Sequence, residues 1–264
     1  MFKLFAGPCV IEDEAIMEEI ALELKRLSGK YNLDLYFKAS FDKANRTSFE
    51  SYRGPGLELG LITLSKIKDK YKMKIITDIH ESYQAQPVSK VADIIQIPAY
   101  LSRQTDLIIS AAETHKSVNV KKGQFMAPWD IKHAIEKILQ INPSAEVFVT
   151  ERGSSFGYNN LIVDMTSLIR LKELGYYVIF DATHSVQKPG GLGKSSGGNR
   201  EDAKKLALAA AAVGIDGLFI EVHPNPDNAL SDSANTINLY DVDQLLHNVL
   251  AIKELLQGKE KCIL

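Results

Sequence analysis

Two stretches decide the fold: Tyr177-Val178-Ile179-Phe180-Asp181-Ala182-Thr183-His184 and Gly217-Leu218-Phe219-Ile220-Glu221-Val222-His223-Pro224. Each is a short aliphatic and aromatic run that passes directly into an acid and then a histidine. An apolar run of this length, without polar alternation, is the pattern of a strand buried on both faces, as in a parallel sheet. Between them lies Ala203 to Val213, an alanine-rich segment that favours helix. Strand, helix and strand make one parallel crossover unit, with reactive side chains where each strand ends.

Working outward, the same unit recurs along the chain. The expected strands are Lys3–Ala6, Leu35–Ala39, Lys74–Ile79, Ile94–Ile97, Ser117–Val120, Val147–Thr150, Tyr177–Phe180 and Gly217–Ile220. Helical spacing of apolar residues appears at Ile16, Met17, Ile20, Ala21, Leu24 and Leu27. It recurs at Leu57, Leu61, Leu64 and Ile67, at Ile131, Ile135, Ile138 and Leu139, and at Val242, Leu245, Leu246, Val249 and Ile252. Eight alternations predict a (β/α)8 TIM barrel, one domain spanning residues 1–264, a length that suits the roughly 250 residues of such folds. An open doubly wound sheet would place a Gly-rich fingerprint after its first strand, and Gly7-Pro8-Cys9 is not one.

Composition narrows the function classes. Hydrophobic residues make up 45% and charged residues 24%, ordinary for a globular protein. A net charge of −2 excludes the basic balance of a nucleic-acid binder. The Met1–Pro8 segment is too short for a secretory signal, and no run approaches the roughly 18 apolar residues of a membrane helix. Cys9 and Cys262 stand at opposite ends, and nothing points to an oxidising compartment. A cytoplasmic enzyme with no nucleic-acid or membrane partner is expected.

In such a barrel the C-terminal strand ends build the active site. Here they deliver Cys9, Lys38 with Ser40, Asp78 with His80, Gln96, Lys121 with Lys122, Glu151 with Arg152, Asp181 with His184, and Glu221 with His223. Eight polar exits imply a lined pocket. His184 and Glu221 leave adjacent strands, closure brings Cys9 beside them, and Asp232 follows in the loop after strand eight. This mixed sulfur, nitrogen and oxygen set suits Zn²⁺, Fe²⁺ or Mn²⁺ better than Mg²⁺. Taken singly, Cys9 reads more readily as a small buried hydrophobe and His184 as a loop cap, and Glu221 as easily as a salt-bridge partner or acid/base group.

The segment from Lys38 to Ser48 gathers Lys43, Asn45, Arg46 and hydroxyls at Ser40, Thr47 and Ser48, a donor set for a phosphate. Lys121 and Arg152, across the mouth, would neutralise a second anion, and Arg53 and Arg103 lie in further loops. Gly190-Gly191-Leu192-Gly193 and Ser196-Gly197-Gly198 lack a Walker lysine, so no nucleotide or other organic cofactor is expected. A lid or an amide cradle fits this loop, as does a plain flexible connection.

Read in order, Gly7-Pro8-Cys9, Lys38-Ala39-Ser40-Phe41-Asp42-Lys43-Ala44-Asn45-Arg46-Thr47-Ser48, Thr77-Asp78-Ile79-His80-Glu81 and Asp93-Ile94-Ile95-Gln96-Ile97-Pro98-Ala99 form a recognisable series. It continues through Arg103-Gln104-Thr105, Val120-Lys121-Lys122-Gly123-Gln124-Phe125, Glu151-Arg152-Gly153, Phe156-Gly157-Tyr158, Asp181-Ala182-Thr183-His184-Ser185 and Glu221-Val222-His223-Pro224. The series resembles the 3-deoxy-D-manno-octulosonate 8-phosphate synthase family from end to end. The resemblance implies condensation of phosphoenolpyruvate with arabinose 5-phosphate and water, releasing phosphate, for lipopolysaccharide. It implies that Lys38, Ser40, Gln96, Lys121 and Arg152 hold phosphoenolpyruvate, with Lys43 close to the reacting carbons. Asn45, Arg46 and Thr47 would bind the pentose phosphate, with Asp78 or His80 facing the site. The residues expected to take part in catalysis are thus Lys43, Asn45, Asp78, His80, Cys9 and His184.

The family divides into metal-dependent members with cysteine after Gly-Pro and metal-independent members with asparagine there. Cys9 places this chain with the former, its ligands being Cys9, His184, Glu221 and Asp232. A homotetramer, with Arg103 reaching a neighbouring site, is also implied. Thr47 departs from the serine of some relatives and keeps the hydroxyl. The rival is a heptulosonate 7-phosphate synthase using erythrose 4-phosphate, whose loop typically reads Lys-Pro-Arg-Thr-Ser. The Lys43-Ala44-Asn45-Arg46-Thr47-Ser48 sequence favours the five-carbon aldehyde. A Schiff-base aldolase using Lys38 or Lys121, and a barrel that only binds, are the alternatives of other classes.

Overall fold

A computed structural model describes residues 1–189 and 197–260. Gly190-Gly191-Leu192-Gly193 and Cys262 therefore lie outside the described residues. Eight strands form the barrel: β1 (Lys3–Gly7), β2 (Asp34–Lys38), β3 (Lys74–Asp78), β4 (Ile94–Ile97), β5 (Ser117–Lys121), β6 (Val147–Glu151), β7 (Tyr177–Asp181) and β8 (Gly217–His223). Neighbours pair in parallel in chain order, and β8 returns to β1 with Lys3 opposite Gly217 and Gly7 opposite Glu221. Strand starts match the sequence reading to within a residue, while β8 runs on to His223.

The outer ring comprises α1 (Glu14–Tyr31), α2 (Leu57–Tyr71), α3 (Ala85–Ser89), α4 (Thr105–Ala112), α5 (Lys132–Ile141), α6 (Met165–Lys172), α7 (Arg200–Val213) and α8 (Val242–Glu260). Their starts have local causes. Asp13 and Asn199 accept backbone N–H bonds from Ile16 (3.0 Å) and Glu201 (3.0 Å), and so cap α1 and α7. α3, α4 and α6 are too short for their spacing to stand out in the sequence. Among the described residues no helix is long and apolar enough to cross a membrane.

Strand periodicity sorts side chains into two cores. Leu4 and Ala6 join the layer between strands and helices, while Phe5 joins an inner plug with Tyr36, Ile76, Ile94, Phe148, Ile179 and Phe219. Phe5 meets Tyr36 and Phe148 edge-on, with centroids 5.1 and 5.5 Å apart. Two residues further along the same faces come Lys38, Asp78, Gln96, Asp181 and Glu221, and two residues earlier come Lys3, Asp34, Lys74 and Tyr177. The plug thus separates a polar mouth from a polar floor.

The same parity corrects two of the eight exits. Lys122 and Glu151 face the helices, 3.6 Å apart, and Glu151 accepts from the Gly153 N–H (2.6 Å) and Ser167 hydroxyl (2.9 Å). Both groups tie the barrel wall to its surroundings and do not line the mouth.

Candidate active site

The mouth opens into a cleft of about 770 Å³. β2, β3, β4 and β5 bring Lys38, Asp78, Gln96 and Lys121 to its wall, and the loops add Lys43, Asn45, Arg46, Thr47, His80, Arg152, His184 and Asp232. Cys9, Ser40 and Glu221 are buried just behind that wall. Gly7 allows this assembly, because a Cβ there would stand 2.1 Å from the Lys38 carbonyl oxygen.

Cys9, Glu221 and Asp232 offer ligand atoms within 4.8 Å of one another. His184 joins them through Nε2, 3.5 Å from both Glu221 Oε1 and Asp232 Oδ2. Asp232 adopts a left-handed backbone (φ 49°), which for a residue with a side chain marks a locally imposed conformation. Burial, with Glu221 and Asp232 alongside, pushes the Cys9 thiol well above its ordinary pKa. Glu221 Oε2 is buried without a hydrogen-bond partner among the described residues. An orphaned carboxylate oxygen beside a thiol, an imidazole and a second carboxylate fits a cation, which would satisfy all of them together. Cys9, Glu221 and Asp232 together could hold a metal ion.

Cations surround this cluster. Lys38 Nζ donates to the Cys9 carbonyl (3.1 Å), Ser40 Oγ (3.0 Å) and Glu221 Oε1 (3.2 Å). Lys43 Nζ lies 3.1 Å from Ser40 Oγ and 3.8 Å from Glu221 Oε1. Burial alone would depress the Lys43 ammonium, but Cys9, Glu221, Asp78 and Asp232 outweigh it and hold the pKa above its ordinary value. Across the cleft, burial lowers the pKa values of Lys121 and Arg152. Arg152 Nη2 bonds Gln187 (2.7 Å), while its buried Nη1 has no partner among the described residues. Gln96 accepts from Asn119 (3.1 Å), itself bonded by Thr150 (2.7 Å), which leaves the Gln96 amide nitrogen to donate into the cleft.

Beside this anion pocket, Asp78 accepts from Ser40 (2.5 Å) and lies 3.1 Å from His80 Nε2. Its pKa falls well below normal, since Lys38, His80 and Lys43 overcome the burial that opposes ionisation. With Nε2–H turned to Asp78, the buried Nδ1 of His80 is left without a partner among the described residues. Arg46 donates to the Tyr52 carbonyl (3.1 and 2.7 Å), which folds the loop back over the cleft edge. Arg103 is exposed and outside this cleft.

The mouth gathers Lys38, Lys43, Lys121 and Arg152, a candidate cation-binding cluster and two imidazoles around one cavity. In comparison with known families, residues 1–258 match the model described as the DAHP synthetase I family. The chain belongs to that family. Within it, a Fusobacterium nucleatum protein named 2-dehydro-3-deoxyphosphooctonate aldolase is 51% identical over 97% of this chain and 92% of its own length. Proteins of the same name from Campylobacter jejuni and Helicobacter hepaticus are each 53% identical, over 96% and 97% of this chain and 97% and 98% of their own lengths.

Two residues that support the mouth were not singled out as site residues from the sequence, although Asp181 stands at a strand exit. Asp181 lies at the base of the mouth with no exposure and binds both Lys121 and His184. Its inward parity on β7, shared with Ile179, was the available signal. Glu12, which accepts from the Leu230 N–H (3.1 Å) and so braces the loop bearing Asp232, gave none.

Proposed function

We propose that this chain condenses phosphoenolpyruvate with D-arabinose 5-phosphate and water to give 3-deoxy-D-manno-octulosonate 8-phosphate and inorganic phosphate, a step towards lipopolysaccharide. The observation carrying the reading is a cationic cleft built on Lys38, Lys43, Lys121 and Arg152 in a chain that is 51–53% identical to aldolases of that name. The same identity, with Asn45 in the loop, supports the five-carbon aldehyde over erythrose 4-phosphate.

Arg152, Lys121 and the Gln96 amide would bind the carboxylate and phosphate of phosphoenolpyruvate, with Lys38 and Ser40 closing the inner side. Asn45, Arg46 and Thr47 would hold the pentose phosphate, so that binding places the aldehyde carbon over C3 of the enol. The C3–carbon bond forms as the aldehyde oxygen takes a proton, for which Lys43 is the adjacent donor. Water adds at C2 and gives up a proton to a base of the cleft, for which His80, held by Asp78, is the candidate. The C2–O bond to phosphate then breaks as the new C2 hydroxyl becomes the ketone and passes its proton to the leaving phosphate, whose remaining charge is neutralised by the cations that bound it.

Cys9, His184, Glu221 and Asp232 would hold a divalent Zn, Fe or Mn ion. Such an ion supplies Lewis-acid polarisation at the aldehyde or the water. We place the reaction in the cytoplasm, where a thiol ligand stays reduced, in a homotetramer in which the exposed Arg103 reaches a neighbouring site.

A side-by-side assay tests the reading. Phosphoenolpyruvate should be consumed with arabinose 5-phosphate far faster than with erythrose 4-phosphate, releasing one phosphate per turnover and leaving no borohydride-trapped lysine adduct. Turnover with erythrose 4-phosphate alone, or a trapped adduct, would contradict it.

A further inference from the structure

Asp181 has no exposure, yet each of its oxygens serves a different part of the mouth. Oδ2 accepts from Lys121 Nζ at 2.6 Å and lies 2.8 Å from His184 Nδ1. Oδ1 accepts the His184 backbone N–H at 2.9 Å and the Thr183 hydroxyl at 3.2 Å. The Thr183 oxygen in turn accepts the backbone N–H of Glu221 at 3.2 Å. One carboxylate therefore orients the imidazole, starts the helical turn that carries it, and reaches the strand position of a second candidate ligand. It also grips the lysine on the opposite wall of the anion pocket, which rests 3.7 Å from the Phe219 ring centre.

We propose that Asp181 is the positioning residue that couples the two halves of the site, setting His184 for the metal and Lys121 for phosphoenolpyruvate. Asp181 holds the Nδ1 side of the ring at 2.8 Å, which leaves Nε2, 3.5 Å from Glu221 and Asp232, as the nitrogen on the side of the candidate metal ligands. Such outer carboxylates typically change metal affinity about 10–100-fold when removed. The same oxygen, Oδ2, also accepts from the buried Lys121 Nζ at 2.6 Å. Either contact alone would be ordinary support; sharing Oδ2 makes the two subsites depend on one group. This inference rests on the proposed function, since it names how that site is held together.

The test uses the full-length protein and two binding measurements that need no turnover. Mn²⁺ affinity is read by chelator competition, and phosphoenolpyruvate affinity by calorimetry without aldehyde. Asp181→Asn should weaken Mn²⁺ about 10–100-fold in the wild-type background, and little where His184→Ala has already removed the imidazole. It should weaken phosphoenolpyruvate in the wild-type background, and little with Lys121→Met. Asp181→Glu, which keeps the charge, should recover part of both affinities, and it carries the comparison if Asp181→Asn does not fold. Equal losses in the parent and the His184→Ala or Lys121→Met backgrounds would show a merely structural role and overturn the inference. Wild-type binding of both probes with undiminished binding by Asp181→Asn would overturn it as well and leave the proposed function standing. A wild-type protein that binds neither probe would refute the proposed function, and the inference with it.

Discussion

The two ends of the barrel are both charged, but their charges are arranged differently. At the floor, Lys3 pairs with Asp34 (3.1 Å) and Glu146 (3.7 Å), and Lys74 pairs with Asp34 (2.7 Å). Lys3 also lies over the Tyr177 ring at 4.5 Å, and Lys74 over Tyr36 at 4.8 Å. None of these residues lines the mouth cleft or has a buried unpartnered side-chain polar atom among the described residues. At the mouth, the charges frame a cavity of about 770 Å³, and His80 Nδ1, Arg152 Nη1 and Glu221 Oε2 remain without partners among the described residues. Charge density alone therefore does not mark a site. The floor is self-satisfied, whereas the mouth is arranged so that a ligand completes it.

The largest expected effect lies between the two ends. Phe148 fills the plug, and Phe148→Ala should lower unfolding free energy by about 3–5 kcal/mol, measurable by denaturant titration. A loss below about 1 kcal/mol would mean that the plug does not separate the ends by tight packing. Next comes the mouth. Lys43→Ala should reduce turnover roughly 10²–10³-fold in the protein that remains folded, with some loss of melting temperature because Glu221, Asp78 and Asp232 lose a neighbouring cation. A large fall in melting temperature with normal turnover would make Lys43 a floor-like residue.

The converse variant is smaller in effect. Asp34→Asn at the floor should cost about 1–3 kcal/mol of stability with turnover per folded molecule unchanged. Its pH behaviour sharpens the contrast. Burial would raise the Asp34 pKa, but Lys74 and Lys3 overcome it and hold the carboxyl below its ordinary value. The stabilisation is then present above the unfolded carboxylate range near pH 4 and is lost as pH falls through the lower folded value. Melting temperatures between about pH 5 and pH 2 should show Asp34→Asn losing part of that acid-side slope. A slope identical to wild type would place the acid sensitivity elsewhere.

Much of this division was legible in the sequence. Apolar runs bounded by polar exits mark all eight strands, and closure of the barrel puts Cys9 beside Glu221, because strand order in a barrel is chain order. Asp232 was legible as a nearby carboxylate, and its left-handed backbone was not. Lys122 and Glu151 looked like site residues because they stand at strand ends. Their outward parity depends on a register that a single residue's slip would invert. The floor was illegible for a similar reason: Asp34 opens β2 and Glu146 precedes β6, where a surface turn has the same composition. Asp181 announced a strand exit, but the sharing of one oxygen between Lys121 and His184 is a matter of distance. Arg103, expected at a neighbouring site, is exposed here, and its reach depends on an assembly of chains.

The most direct test is phosphoenolpyruvate consumption with arabinose 5-phosphate, measured on chelator-stripped protein before and after adding Mn²⁺, Fe²⁺ or Zn²⁺. The account predicts activity lost on stripping and restored by metal, with Cys9→Ser requiring far more metal for the same rate. Full activity in the stripped protein would contradict the Cys9, His184, Glu221 and Asp232 centre.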